Sequence, residues 1–231
     1  MIDADALFHV ASVVKVPIMV ECFRQIEIDR TMSLTDRLEH LDKFKLSGTG
    51  ILKYLPQGLE LTVEDLITLM IIISDNTATD TLLERIGGPQ KVDSTMKFLG
   101  LKDMHVNMTI RQAHWERGQR REPLVDPREA AQARREQQLI MDSACYSAST
   151  QGNSASPRAM TLLLSKILGN ELWSEQACQK MMEIMYKQQL NSRIPSKLPR
   201  GTMVAHKDGT ITGVADDAGI IEIDDNIHCV I

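Results

Sequence analysis

Three short segments of this 231-residue chain hold side chains whose types and spacing suit acyl-transfer chemistry. In the first, Ser12-Val13-Val14-Lys15, a hydroxyl and an amine stand three residues apart. Residues i and i+3 share a face of a helix, so the amine of Lys15 can reach the hydroxyl of Ser12. A serine hydroxyl is a weak nucleophile near neutral pH and needs an adjacent base. Lysine becomes such a base when desolvation or neighbouring cationic and dipolar groups lower its pKa. A helix that starts at Ser12 also favours negative charge developing there. The second segment, Ser74-Asp75-Asn76, follows a strongly apolar run. The third, Lys207-Asp208-Gly209-Thr210, follows the strand-like Thr202–His206.

Taken singly, each segment has a structural explanation. S-x-x-K arises by chance about once in a chain of this size. Ser-Asp-Asn is a common helix terminator, because all three side chains compete for backbone hydrogen bonds. Asp208-Gly209 is a strong hairpin-turn signal. Weight comes from finding all three together and in this order.

The elements that must position these residues are mostly helical. From Ser12 to about Ile28 the pattern is helical, with Val16, Met19, Val20 and Phe23 on one stripe and Pro17 near the tolerated start. Residues 31–60 read as loops and short helices, punctuated by Gly48, Gly50 and Gly58. Thr62 and Asp65 resemble a capping box before an apolar helix, Leu66 to Ile73. Further helices are expected from Thr77 to Ile86, stopped by Gly87-Gly88-Pro89, and from Gln90 to Leu99, closed by Gly100. Residues 111–136 mix seven arginines with five acids, the texture of a solvated helix or insertion. Residues 143–157 read as loop; helices resume at Pro157–Leu168 and Ser174–Gln188. Strands are expected only then, at Thr202–Lys207, Ala218–Ile223 and Ile227–Ile231.

Composition excludes several function classes. The chain can bury a sizeable core in one large domain or two small ones. Its few aromatics (4%) and 13 methionines point to a core of Leu, Ile, Val and Met. A net charge of −5 opposes nucleic acid as the main partner and favours a small-molecule substrate. No apolar run is long enough to span a bilayer. Asp3 and Asp5 occupy the place of a signal peptide's positive region, so the chain as it stands reads as cytoplasmic. Cys22, Cys145, Cys178 and Cys229 lie far apart and are expected as buried free thiols. The six histidines show no ligand spacing, so neither metal nor other cofactor is expected.

S-x-x-K, S-D-N and K-T-G in this order are the signature of class A β-lactamases and penicillin-binding proteins. Ile71 to Ala78 and Ile86 to Pro89 resemble the helical core of class A β-lactamases. Leu198 to Lys207 resembles the approach to their third motif, and Gly219-Ile220-Ile221 their next strand. The chain thus resembles the serine β-lactamase and penicillin-binding protein superfamily over nearly its whole length, apart from about residues 110–152. The resemblance implies an α/β fold of the β-lactamase/transpeptidase type, a helical domain packed on an antiparallel sheet. Residues 29–200 would form the mainly helical domain, and 1–28 with 201–231 the α/β part. It also implies a serine hydrolase of periplasmic or secreted location. Ser12 would be acylated, Lys15 would take its proton, and Ser74 would relay that proton to the leaving nitrogen. Asn76 would hold Lys15 and the substrate amide, and Lys207 would supply positive potential. The backbone N–H groups of Ser12 and Thr210, beside Gly209, would form the oxyanion hole.

The chain departs from the family pattern in three places. Asp208 stands where Thr or Ser is usual, and an ionised Asp would repel a substrate carboxylate. Arg193 is a candidate to replace a basic residue absent from the neighbouring strand, where Ala218 precedes Gly219. Arg120-Arg121-Glu122-Pro123 offers Glu122 as deacylating base, but Asp126 stands where Asn is expected, and a surface glutamate is the rival explanation. Family members also have a helix and two strands before the nucleophile and a strand and helix after the equivalent of Ile231, so a fragment or truncated reading frame is expected. The leading expectation is a β-lactamase-like hydrolase. A DD-peptidase or esterase, a sensor acylated by β-lactams without turnover, and an inactive fragment remain alternatives.

Overall fold

Ser12 opens a 3₁₀ turn, Ser12–Val14, that runs into α1 (Lys15–Arg24) and through a π-helical turn, Gln25–Asp29. The apolar spacing predicts one buried stripe, yet every residue from Lys15 to Phe23 is buried. The reason is tertiary: other helices pack around α1 on several sides, so even its polar positions lose contact with water. The computed structural model describes residues 2–116, 150–211, 213–224 and 227–231.

Before and after α1 the chain adds β1 (Phe8–His9), β2 (Arg37–Glu39) and β3 (Glu60–Thr62), β2 pairing antiparallel with β3. Thr62 caps α2 (Val63–Ile72) with the expected box: its Oγ1 accepts from Asp65 N at 3.0 Å, and Asp65 Oδ2 accepts from Thr62 N at 2.9 Å. Asp75 caps α3 (Asn76–Ile86), which ends at Gly87 with φ of 93°. Only glycine takes that conformation at little cost. Pro89 opens α4 (Pro89–Phe98). These helices, α5 (Ile110–Glu116), α6 (Pro157–Leu168) and α7 (Glu175–Tyr186) make seven among the described residues. None is long and apolar enough to cross a membrane.

The main sheet is an antiparallel meander of β6 (Val204–Ile211), β7 (Val214–Asp224) and β8 (Ile227–Val230). In front of it, β1, β4 (Met104–His105) and β5 (Ser154–Ala155) form a small sheet in the order β1-β5-β4. β5 therefore replaces the end of the loop expected over 143–157. Asp208-Gly209 forms no hairpin turn. It lies inside β6, with Asp208 opposite Asp217 and Gly209 opposite Asp216. The architecture is the expected α/β arrangement of helices on antiparallel sheet.

Cys22 and Cys178 are free and buried, as expected; Cys229 is free but exposed, a correction. It lies on an outward position of β8, where exposed and half-buried residues alternate. Cys145, Glu122 and most of the charged stretch lie outside the described residues.

Candidate active site

The turn between α2 and α3 is held from several directions. Ser74 sits at φ of 58°, a left-handed conformation uncommon for a residue with a side chain. Asp75 Oδ1 accepts from Ala78 N at 3.0 Å, while its Oδ2 accepts from Ile51 N at 2.7 Å and Leu52 N at 2.9 Å. Thr49 Oγ1 donates to Ser74 O at 2.6 Å, and Asn76 Nδ2 donates to Ser47 O at 3.1 Å. The loop of residues 47–52 thus clamps the tripeptide, and Gly50 is glycine because a Cβ there would lie 2.2 Å from the Asp75 carboxyl carbon.

Lys15 reaches this turn from α1. Its Nζ donates to Ser74 O at 2.7 Å, Ser74 Oγ at 2.9 Å and Asn76 Oδ1 at 2.9 Å. The side chain has no solvent exposure. Burial drives the Lys15 pKa well below its ordinary value, Lys207 adds to the fall, and Asp75, Asp80 and Asp208 oppose it. A neutral amine keeps two N–H donors for Ser74 O and Asn76 Oδ1. Its lone pair is then free to take a hydroxyl proton.

β6 forms the opposite wall. At Gly209 a Cβ would lie 2.8 Å from Ser12 N and 2.7 Å from Asp216 Oδ1, so the strand packs directly on the start of the turn that Ser12 opens. Asp216 Oδ2 accepts from Ala11 N at 3.0 Å and fixes the residue before Ser12. Burial raises the Asp216 pKa, with the Ala11 bond opposing. Lys207 is fully buried, and burial lowers its pKa against the pull of Asp208. Its Nζ donates to Asp208 O at 2.7 Å and Asp208 Oδ1 at 2.8 Å. Arg193 Nη1 lies 3.4 Å from Asp208 Oδ2, and Nη2 donates to Thr210 Oγ1 at 2.7 Å.

A cavity of about 490 Å³ lies between these walls, lined by Ser12, Ser74, Asn76, Asp208 and Thr210 with Gly48, Thr49 and residues 189–192. Lys15 and Lys207 lie beneath its surface, and Arg193 flanks Thr210. A larger cavity of about 530 Å³ borders β1, β5 and β7, and of the three motifs it meets only the apolar Val13. The motif spacing gave no hint of Thr49, Asp216 or the bridge from Asn191 Oδ1 through His206 to Asp217, with ring contacts of 2.9 and 2.8 Å. These residues meet the site only through the fold. Gly48 and Gly50 carried the one available signal.

A lysine amine whose pKa is lowered by burial and which is turned onto a serine hydroxyl, on this arrangement of helices and antiparallel sheet, is a combination suited to a serine hydrolase. The chain matches the Beta-lactamase enzyme family over residues 1–231 and belongs to it. It is 28% identical over 233 residues to β-lactamase VEB-1 of Pseudomonas aeruginosa, covering 96% of this chain and 68% of that protein. The solved β-lactamase of Sphaerobacter thermophilus is 30% identical with a TM-score of 0.74, covering 95% of this chain and 72% of that one. A mutant of PBP-A, solved as an acyl-enzyme complex with penicillin G, is 25% identical with a TM-score of 0.77, covering 98% of this chain and 72% of that one.

Proposed function

We propose that this chain hydrolyses a β-lactam or related acyl compound by two-step transfer through Ser12. Ser12 Oγ bonds to the carbonyl carbon as its proton passes to Lys15 Nζ. The carbon–nitrogen bond then breaks, and the proton travels through Ser74 Oγ to the leaving nitrogen. Water adds to the acyl-serine ester, releasing the acid and restoring the Ser12 hydroxyl. Glu122 is the proposed base for that water. The N–H groups of Ser12 and Thr210 are the proposed oxyanion donors, a kind of contact worth about 2.7–4 kcal/mol each in other enzymes. The observation that carries this reading is the buried Lys15 amine bonded to Ser74 Oγ and Asn76 Oδ1.

Incubation with benzylpenicillin followed by mass spectrometry, beside a chromogenic cephalosporin assay, tests it. The expected result is a covalent adduct on Ser12 with turnover, both lost in Ser12→Ala. An adduct without turnover points to a penicillin-binding sensor. Ester cleavage without adduct points to an esterase. An adduct that persists in Ser12→Ala overturns the assignment of the nucleophile.

A further inference from the structure

The cavity wall carries an acid where an anionic substrate would need a cation. Among the described residues that line it, Asp208 has the sole ionisable side chain. Both neighbouring cations are turned onto that carboxylate: Lys207 holds Oδ1 at 2.8 Å, and Arg193 lies 3.4 Å from Oδ2. Lys207 is fully buried, and a second bond ties it to Asp208 O at 2.7 Å, so two of its three N–H groups are turned onto Asp208. Arg193 is committed as well, donating to Asp216 O at 3.2 Å and to Thr210 Oγ1 at 2.7 Å. Asp216 and Asp217 stand opposite Gly209 and Asp208 on β7, so three carboxylates face two side-chain cations on this side of the site. Asp217 is engaged by His206 at 2.8 Å and by Ile194 N at 3.0 Å.

We infer that the site takes acyl substrates that are neutral or cationic beside the scissile carbonyl, and that Asp208 sets this preference. The inference rests on Ser12 being the acylated residue. A carboxylate brought to this wall meets Asp208 before it meets any unpaired cation, and like charges in contact disfavour binding strongly. A neutral ester or amide meets no such opposition, and a cationic group gains a partner.

Benzylpenicillin and its methyl ester differ in that charge and in one methyl group and make the probe pair. The second-order rate of Ser12 acylation is read for each by mass spectrometry, in the wild type, Asp208→Asn and Asp208→Thr. The wild type is expected to favour the ester, with the ester-to-acid ratio shrinking as salt is added. Both variants should move the ratio toward the free acid by about tenfold or more. Asp208→Asn is nearly isosteric, so it decides the matter if Asp208→Thr does not fold. A wild type that favours the free acid, with the ratio unmoved in both variants, overturns the role of Asp208 while leaving Ser12 as nucleophile. Failure of both compounds to acylate Ser12 removes the proposed function itself, and this inference with it.

Discussion

At the scale of single residues, Lys15 concentrates the physics of the site. A lysine in water is protonated at neutral pH and cannot accept a proton. Withdrawn from solvent and placed near Lys207, it pays the desolvation cost of its charged form and becomes basic enough only as the free amine. The sign of the pH dependence follows. Acylation should fall as pH drops through the depressed Lys15 pKa, because protonation removes the lone pair. Lys15→Met should slow acylation by about 10²–10⁴-fold and abolish that acid limb. Lys207→Met removes a cation that helps depress Lys15, so its limb should move to higher pH. Single-turnover acylation rates measured across pH check both variants, and a wild-type profile with no acid limb contradicts the assignment of Lys15 as base.

At the scale of elements, the site depends on how closely β6 approaches the turn that begins at Ser12. Gly209 faces that turn without a side chain because none fits: its Cβ would meet Ser12 N, Ala11 Cβ at 3.0 Å and Asp216 Oδ1. Two of these neighbours are the backbone of Ser12, the proposed nucleophile, and the residue before it, which cannot move without shifting Ser12. Gly209→Ala should therefore lower kcat/KM by about 100-fold through displacement of the reacting atoms. Its effect on stability should be only about 1–3 kcal/mol, the usual cost of overpacking. Steady-state kinetics beside thermal unfolding separate the two. Activity near wild type would mean that β6 can slide without disturbing Ser12.

At the scale of the whole molecule, buried acids link the fold to pH. Asp80 on α3 accepts from Ile110 N at 2.8 Å and Arg111 N at 3.0 Å, and so ties down the start of α5. Burial pushes its pKa up to about 6, with those two bonds and nearby Lys15 opposing. A carboxyl raised in the folded state holds its proton there more tightly than in the unfolded chain. Its contribution is full below the unfolded value near 4 and is lost as pH climbs through about 6. The loss from this one group is about 3 kcal/mol at most. Urea unfolding of the wild type and Asp80→Asn between pH 4 and 7 checks this: the variant should show a flatter dependence over that window. Parallel curves would show that Asp80 does not titrate there.

Much of the local structure was legible because its causes are local. The Thr62–Asp65 capping box, the Gly87-Gly88-Pro89 break and the Pro157 helix start all act through neighbours within a few residues. The order of the three motifs likewise told which residues could do chemistry. What periodicity could not report was the burial of α1 on every side, or the inclusion of Asp208-Gly209 in a strand in place of a turn. Both depend on elements distant in the chain.

By itself the sequence determined the caps, the helix stops and the set of hydroxyls, amines and amides available to the site. Only the tertiary structure decided that 59 residues of separation close to a 2.9 Å contact between Lys15 and Ser74, and that Lys207 and Arg193 turn onto Asp208. Propensity and capping are sums over adjacent residues. Desolvation and charge are sums over everything nearby in space, and a basic lysine or a silenced cation exists only once the fold has brought those neighbours together.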